Sequence, residues 1–273
     1  MKQKIHALLA AEGITEVALL PFEECAVTRE DLIADGFSPR CAILFLMPYY
    51  AGKPQNFSAY AAAEDYHFFV REMAERLRPA LREAYPDATF CFYADHAPID
   101  ERQAAVRAGL GVYGKNGLLL NEATSSYHFI GEILTDLPPE SLGTAVLYPP
   151  ASCIGCGACL AACPTGILRG EGSECLSAIT QKKGELTADE MALLKKHNTA
   201  WGCDICQEVC PYTHRAIENG TIYTAIPFFL ESRIERLDTA TLASLDNAAF
   251  RRRAFAWRGR KTVERNVRIL EEK

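Results

Sequence analysis

Apolar and polar positions change period several times along the chain, and the changes mark its elements. Residues 1–12 have the spacing of a short amphipathic helix ended by Gly13, and residues 16–20 follow as a strand. Thr28, with Asp31 three residues on, predicts a capping box opening a helix that Gly36 stops. Residues 42–47 form an unbroken apolar run of strand length, suited to a buried central strand. From residue 60 to about 85, Tyr66, Phe69, Val70, Met73, Leu77 and Leu81 recur at helical spacing, with Pro79 as a kink. Residues 89–93 read as a strand, and residues 98–108 as a helix with Pro98 at its start and Gly109 past its end. Residues 118–120 and 129–134 complete the strand set. Helices and strands alternate, which predicts an α/β (α+β) fold.

Pro138, Pro139, Pro149 and Pro150 bracket a change of character near residue 148. Beyond it lie short helical stretches between cysteine runs and a helical excursion at residues 188–197. After Pro227 the pattern is helical again, ending in residues 242–270. The expected domains are therefore 1–147, 148–226 and 227–273.

Composition narrows this picture. The 273 residues, 49% hydrophobic and 23% charged, are those of an ordinary globular protein large enough for a real core. No apolar run reaches the roughly eighteen residues of a membrane span. Residues 42–50, the longest candidate, are interrupted by Pro48. With no signal-peptide pattern, a soluble cytoplasmic protein is expected. The net charge of -6 argues against a protein that coats nucleic acid, yet residues 251–268 hold eight Arg or Lys against one acid, Glu264.

The cysteines carry the clearest chemistry. Cys153-Ile-Gly-Cys156-Gly-Ala-Cys159-Leu-Ala-Ala-Cys163-Pro164 is the bacterial ferredoxin pattern, in which three thiolates hold one 4Fe-4S cube and the fourth ligates the other cluster. Cys203-Asp-Ile-Cys206-Gln-Glu-Val-Cys210-Pro211 echoes it without the leading member, and Cys175 supplies the eighth thiol. Crossing the ligands as in two-cluster ferredoxins gives Cys153, Cys156, Cys159 and Cys210 to one cube, and Cys163, Cys175, Cys203 and Cys206 to the other. Zinc is the competing reading of C-x2-C pairs. Against it stand the dense four-cysteine run, the proline after each terminal cysteine, and small residues that let backbone amides approach cluster sulfurs. Cys25, Cys41 and Cys91 fall in or beside apolar strands and read as small buried hydrophobes.

Two clusters make an electron wire, but a wire names no reaction. Asp95 and His96 sit where a strand gives way to a helix, a place for ligand contacts and equally a place for a helix cap. Ala108-Gly-Leu-Gly111-Val-Tyr-Gly114-Lys115-Asn116 lacks Walker spacing, so its glycines are expected to let backbone pass close to something bulky. Lys115 would meet an anion or end a solvated turn. The six histidines form no HExxH-like constellation.

Taken together the motifs resemble the epoxyqueuosine reductase family. They are Tyr60-Ala-x-x-x-Asp65-Tyr66-His67, Asp95-x-Ala-Pro98, the glycine-rich run to Asn116, Gly131-Glu-Ile-Leu-Thr135, the eight cysteines, Cys175-x-Ser177-x-x-Thr180, Gly202-Cys-Asp-Ile-Cys-Gln207 and Phe250-Arg-x-x-x-Phe255 with Arg265-Asn266. The likeness spans roughly residues 40–270.

That resemblance implies a nitroreductase-like domain holding base-off cobalamin and a ferredoxin-like module feeding it electrons from an external low-potential donor. It also implies removal of the epoxide oxygen from epoxyqueuosine in the tRNA wobble position, giving queuosine. The absence of a D-x-H-x-x-G signature agrees with the base-off state. Asp95 matches the family's proton donor: opening an epoxide leaves an oxyanion, and a carboxylic acid buried beside the corrin would protonate it. Lys115, Asn116, Ser177, Gln181 and Asp204 lie in segments implied to line the cofactor. Three departures bear on substrate. Val112-Tyr113 replaces Trp-Ile, a Gly-Tyr-His-Gly-Glu-Met motif near the N-terminus is missing, and the chain stops where members continue into helical repeats. The cofactor machinery is thus expected to be kept and the tRNA-reading surface reduced. The basic tail Arg251–Arg268, with Phe255 and Trp257, would provide phosphate contacts and a stacking platform, or else a solvated helix face. The alternatives are a related corrinoid iron–sulfur reductase acting on a small molecule, and a non-catalytic 4Fe-4S electron carrier.

Overall fold

The computed structural model describes residues 4–172 and 174–272. Contacts divide the chain into two units, residues 1–48 with 66–155, and residues 49–65 with 156–273.

The first unit is built on a four-stranded sheet in the order β1-β2-β6-β3, with β1 Val17–Pro21, β2 Cys41–Pro48, β3 Phe90–Tyr93 and β6 His128–Thr135. Its helices are α1 Lys4–Ala11, α2 Tyr66–Ala84, α3 Glu101–Arg107 and α4 Pro139–Leu142, and β4 Val112–Tyr113 pairs with β5 Leu119–Leu120 in a separate hairpin. Every pairing in the main sheet is antiparallel. The expected α/β alternation therefore resolves as α+β. β2 is central and buried from Cys41 to Met47, as its unbroken apolar run requires.

One sheet face packs against α3. Ala104, Ala105 and Val106 join Leu20, Ala42, Leu44, Leu46, Ile130 and Leu134 in a single core. Asp100 caps α3, its side chain accepting from the amides of Arg102 and Gln103. On the opposite face Tyr66, at the start of α2, stacks on Phe129 of β6 with centroids 3.9 Å apart. The helix expected after Thr28 does not form. Only a 3-10 turn spans Glu30–Leu32, because the Thr28 and Arg29 amides both donate to the Pro98 carbonyl and Val27 bridges to Ile99.

The second unit is helical: α5 Ala158–Ala162, α6 Leu176–Thr180, α7 Ala188–His197, α8 Ile205–Glu208, α9 Pro211–Glu218, α10 Pro227–Leu230, α11 Thr239–Ser244, α12 Asn247–Arg251 and α13 Arg260–Glu271. The expected helix over residues 242–270 is thus broken. Asp238 and Asp246 cap α11 and α12 separately, and Arg260 donates to the Leu242 and Leu245 carbonyls that end α11. Trp201 lies fully buried at the centre, its indole N–H donating to the Tyr60 hydroxyl at 2.7 Å and its ring edge-on to Phe255.

Residues 49–65 enter this unit through their backbone as well as their side chains. Asn56 exchanges two hydrogen bonds with Leu237, and the Ser58 amide donates to the Trp201 carbonyl. Asn266 on α13, wholly buried, donates to the carbonyls of Thr180 and Ala200. The contacts therefore do not set the tail from residue 227 apart from the cysteine region: Leu237, Phe250, Phe255 and Val263 share one core with Trp201.

Gly131 lies opposite Phe45 in the β2–β6 register, and a Cβ there would fall 2.3 Å from the Phe45 ring. Gly131→Ala is expected to destabilise the first unit by about 1–3 kcal/mol through overpacking, read as a lower denaturant midpoint at unchanged m-value.

Candidate functional site

The cysteine loops are shaped by glycine. Gly155 and Gly157 hold left-handed φ of 72° and 79°, a region that costs a side chain but lets the loop turn tightly between Cys153, Cys156 and Cys159. α5 carries Cys159, and Cys163 ends it. Burial pushes the Cys163 thiol up, but amides of Leu168, Thr165 and Gly166 and the Thr165 hydroxyl outweigh it, so its pKa lies below the ordinary thiol value. Such a nest of N–H groups suits a thiolate that binds metal.

Cys206 rides on α8, Cys210 precedes α9 with Pro211 at its first position, and Cys175 precedes α6. Cys203 and Cys206 are pushed up to about 12, chiefly by burial. Cys203 also lies in the field of Cys175 and Cys163, and Cys206 in that of Cys203, Cys175 and Cys159. Within the second unit Cys175 and Cys163 thus interact with Cys203, and Cys203, Cys175 and Cys159 with Cys206. Cys156 and Cys210 belong to that unit as well, while Cys153 lies in the first and donates its amide to the Tyr113 carbonyl at 2.8 Å. Among the described residues no three His, Cys, Asp or Glu side chains are spaced for a single metal ion. Cys203 also lines a cavity of about 180 Å³ with Asn56, Ser58, His197 and Asp204.

The residues implied to line a cofactor are placed as follows. Asp204 is buried and accepts from the Ser58 hydroxyl, the Ala59 amide at 2.7 Å and the Gln207 amide group at 2.9 Å. Gln181 donates to the Ser177 hydroxyl at 3.2 Å. Lys115 and Asn116 sit on the β4–β5 turn, where the Asn116 side-chain Oδ1 accepts from the Leu118 amide and Lys115 is exposed. A Cβ on Gly155 would lie 3.8 Å from the Lys115 ammonium. The bulky neighbours that the glycines of this run accommodate are protein: a Cβ would strike the Tyr148 ring at Gly109 and the Leu120 carbonyl at Gly111.

Asp95 follows β3 in a left-handed conformation, φ 60°, sparsely populated by residues other than glycine. Its side chain is exposed here, and its amide donates to the Glu101 carboxylate at 3.3 Å. Glu101, at the start of α3, is raised to about 7 by burial and then by the Asp95 charge. Behind it Glu132 of β6 is fully buried, with neither carboxylate oxygen hydrogen-bonded, and burial followed by the Glu101 charge raises it to about 8. Asp95, Glu101 and Glu132 thus interact pairwise, the first exposed, the second half-buried and the third fully buried. Glu101 belongs to none of the sequence motifs, and Glu132 stands in the Gly131–Thr135 motif with no role of its own read from it. Glu101 reads as a first-turn helix acid, but a glutamate inside the buried strand run Ile130–Leu134 is a signal, since a charge there has no water.

The basic tail is largely used inside the second unit. Arg252 pairs with Glu64, Arg253 donates to the Ser232 carbonyl, Arg260 holds the end of α11, and Arg265 donates to the Lys182 carbonyl. Arg251, Lys261 and Arg268 are exposed, and Trp257, 59% exposed, carries the Arg258 guanidinium 3.8 Å from its ring centre.

The profile of the 4Fe-4S double cluster binding domain matches residues 152–213, so this stretch is an iron–sulfur domain of the two-cluster class. The chain's relatives narrow the class. An epoxyqueuosine reductase of Cyclobacterium marinum is 39% identical over 161 residues, 56% of this chain and 49% of that protein. One from Listeria monocytogenes is 34% identical over 223 residues, 76% of this chain and 54% of that protein. A crystal structure of epoxyqueuosine reductase with an epoxyqueuosine-modified tRNA-Tyr stem loop superposes with a TM-score of 0.75 at 21% identity, covering 98% of this chain and 80% of that one. The chain is a relative of the epoxyqueuosine reductases in sequence and has their fold. It spans about half the length of the curated relatives it matches.

Asp204→Ala would leave three donors inside the second unit without their acceptor. It is expected to cost about 2–3 kcal/mol, measured by urea unfolding, whereas Ser177→Ala should change stability by less than about 0.5 kcal/mol.

Proposed function

We propose that this chain is an oxidoreductase of the epoxyqueuosine reductase type, removing the epoxide oxygen of epoxyqueuosine in tRNA to give queuosine. One observation carries the reading. The likeness to such enzymes runs over 223 residues, far beyond the cluster domain at 152–213, so it is more than a shared iron–sulfur motif.

In this reading the eight cysteines hold two 4Fe-4S clusters, Cys153, Cys156, Cys159 and Cys210 on one, Cys163, Cys175, Cys203 and Cys206 on the other. They take electrons one at a time from an external low-potential donor, and the protein works in the cytoplasm. Cobalamin, implied by the family, would supply a cobalt centre that hands those electrons to the substrate. Its base-off state needs no histidine on cobalt, and His128 is buried, sharing a hydrogen bond with the Thr124 hydroxyl through Nδ1. The exposed Lys115 and Asn116 beside it on the β4–β5 turn are polar groups of the kind that would meet the amide rim of a corrin, on a nitroreductase-like domain. Ser177, Gln181 and Asp204 act less directly, since their hydrogen bonds lie within the second unit.

Asp95 is the acid. Its exposed carboxyl stands on a strained turn, where it can reach an oxygen that leaves the substrate carrying negative charge. For tRNA, the exposed Arg251, Lys261, Arg268 and the Trp257–Arg258 pair are the phosphate and stacking groups, because the remaining arginines of the tail are consumed internally.

Anaerobic reconstitution with iron, sulfide and cobalamin should give about eight irons and one cobalt per chain. Eight irons without cobalt would leave an electron carrier instead. Asp95→Asn should keep both metals and lose roughly 10²–10⁴-fold in turnover of an epoxyqueuosine-modified stem loop; undiminished turnover would remove Asp95 from the mechanism.

A further inference from the structure

Removing an epoxide oxygen as water consumes two electrons and two protons. Both C–O bonds break, a C=C bond forms, and the oxygen leaves carrying both protons. The electrons come through the clusters from the low-potential donor. A single carboxyl can deliver only one of the two protons, and Asp95 is the exposed member of a group of three carboxyls. The Asp95 amide donates to Glu101 at 3.3 Å, Glu101 is half-buried, and Glu132 is fully buried with both oxygens unpartnered.

We propose that Asp95, Glu101 and Glu132 together form a two-proton store, in which Glu101 and Glu132 reload Asp95 within one turnover and are refilled from solvent afterwards. The proposal rests on the reductase reading above, and it makes Glu101 and Glu132 positioning residues that act through Asp95.

The surroundings of Glu132 favour a neutral, proton-bearing carboxyl. It lies on the α3 side of the sheet, beside Tyr93 on β3 and Leu44 on β2 in the strand registers. The titratable groups in its field are Glu101, Tyr93 and Cys25, all acids, and burial pushes Tyr93 and Cys25 up to about 12. His128, on the same face of β6, is held neutral. The nearby Arg107 is engaged with Glu24 at 2.5 Å, and Arg102 donates to the Gly117 carbonyl at 2.7 Å. With no cation supplied to it, the buried carboxyl is stabilised by keeping its proton, and with Glu101 at about 7 and Glu132 at about 8 the pair holds between one and two protons at neutral pH.

The sign of the stability effect follows. A carboxyl raised to about 8 from an ordinary 4.5 stabilises the fold fully below 4.5, and that contribution is lost as pH rises toward 8. Glu132→Gln, which cannot ionise, should therefore melt several degrees above wild type at pH 8 and close to it at pH 5.

The deciding experiment is infrared titration of the reconstituted full chain, paired with turnover of an epoxyqueuosine-modified stem loop. Wild type should show a protonated-carboxyl carbonyl band at pH 7 that shifts in D2O and is lost in Glu132→Gln. Glu101→Gln should move the midpoint of that band downward, since one acidic neighbour is gone. Glu132→Gln should lower kcat roughly 10-fold at pH 8 with KM unchanged, and added imidazole buffer should restore it, a rescue that a merely structural role would not permit. A band that survives in Glu132→Gln, or a wild-type kcat profile in that variant, overturns the store. A band assigned to Glu132 in a wild-type protein that turns over no epoxide overturns the reductase reading instead, and with it the task proposed for the store.

Discussion

The second unit depends on one buried carboxylate. Asp204, set between Cys203 and α8, accepts hydrogen bonds from Ser58, Ala59 and Gln207. It thereby fixes a segment nearly 150 residues earlier in the chain against the cluster-bearing helix. That segment then supplies Phe57, Ala61 and Ala62 to the core around Trp201, and Tyr60 to the Trp201 indole. Without this tie the cysteine loops, which hold little apolar surface of their own, would have no wall on that side. Gly202 is part of the same constraint: its left-handed φ of 71° and the 2.4 Å from a built Cβ to the Ser58 Cβ leave no room for a side chain.

Asp204 and Glu132 show how differently a fold can treat a buried acid. Asp204 has three donors, so its oxygens are satisfied and it works as a fastener. Glu132 has none within hydrogen-bonding distance and sits in a sheet core of leucine, isoleucine and alanine. A buried polar group without partners costs stability, and burial favours its neutral form. From Glu132 through Glu101 to the Asp95 turn the first unit carries acids of increasing exposure. Seven of the eight cysteines lie on the loops and short helices of the second unit, and Cys153 lies in the first.

Much of this was legible in the sequence. The apolar run of β2 predicted a doubly buried strand because a strand with cores on both faces has no polar side to show. The spacing of Tyr66 to Leu81 predicted α2, and Thr187 with Glu190 formed the capping box of α7 that residues 188–197 implied only as a helix. Other signals were overridden by contacts distant in sequence. The Thr28 amide was claimed by Pro98, so its capping pattern opened no helix. The tail helix broke because Asp238 and Asp246 offered local caps and Arg260 bound the carbonyls between them. The basic patch lost half its apparent reach, since charge read along a chain does not tell which guanidinium turns inward.

By itself the sequence determined the cysteine chemistry, the strand and helix candidates and the family likeness, because each is written in local spacing that the backbone geometry must obey. Only the tertiary structure decided that the sheet is antiparallel in the order β1-β2-β6-β3 and that residues 49–65 belong with the cysteine loops. It alone set Glu132 behind Glu101 and Asp95. Those relations join residues far apart in the chain. They are fixed by which surfaces exclude water and which polar groups find partners, and no local period records that.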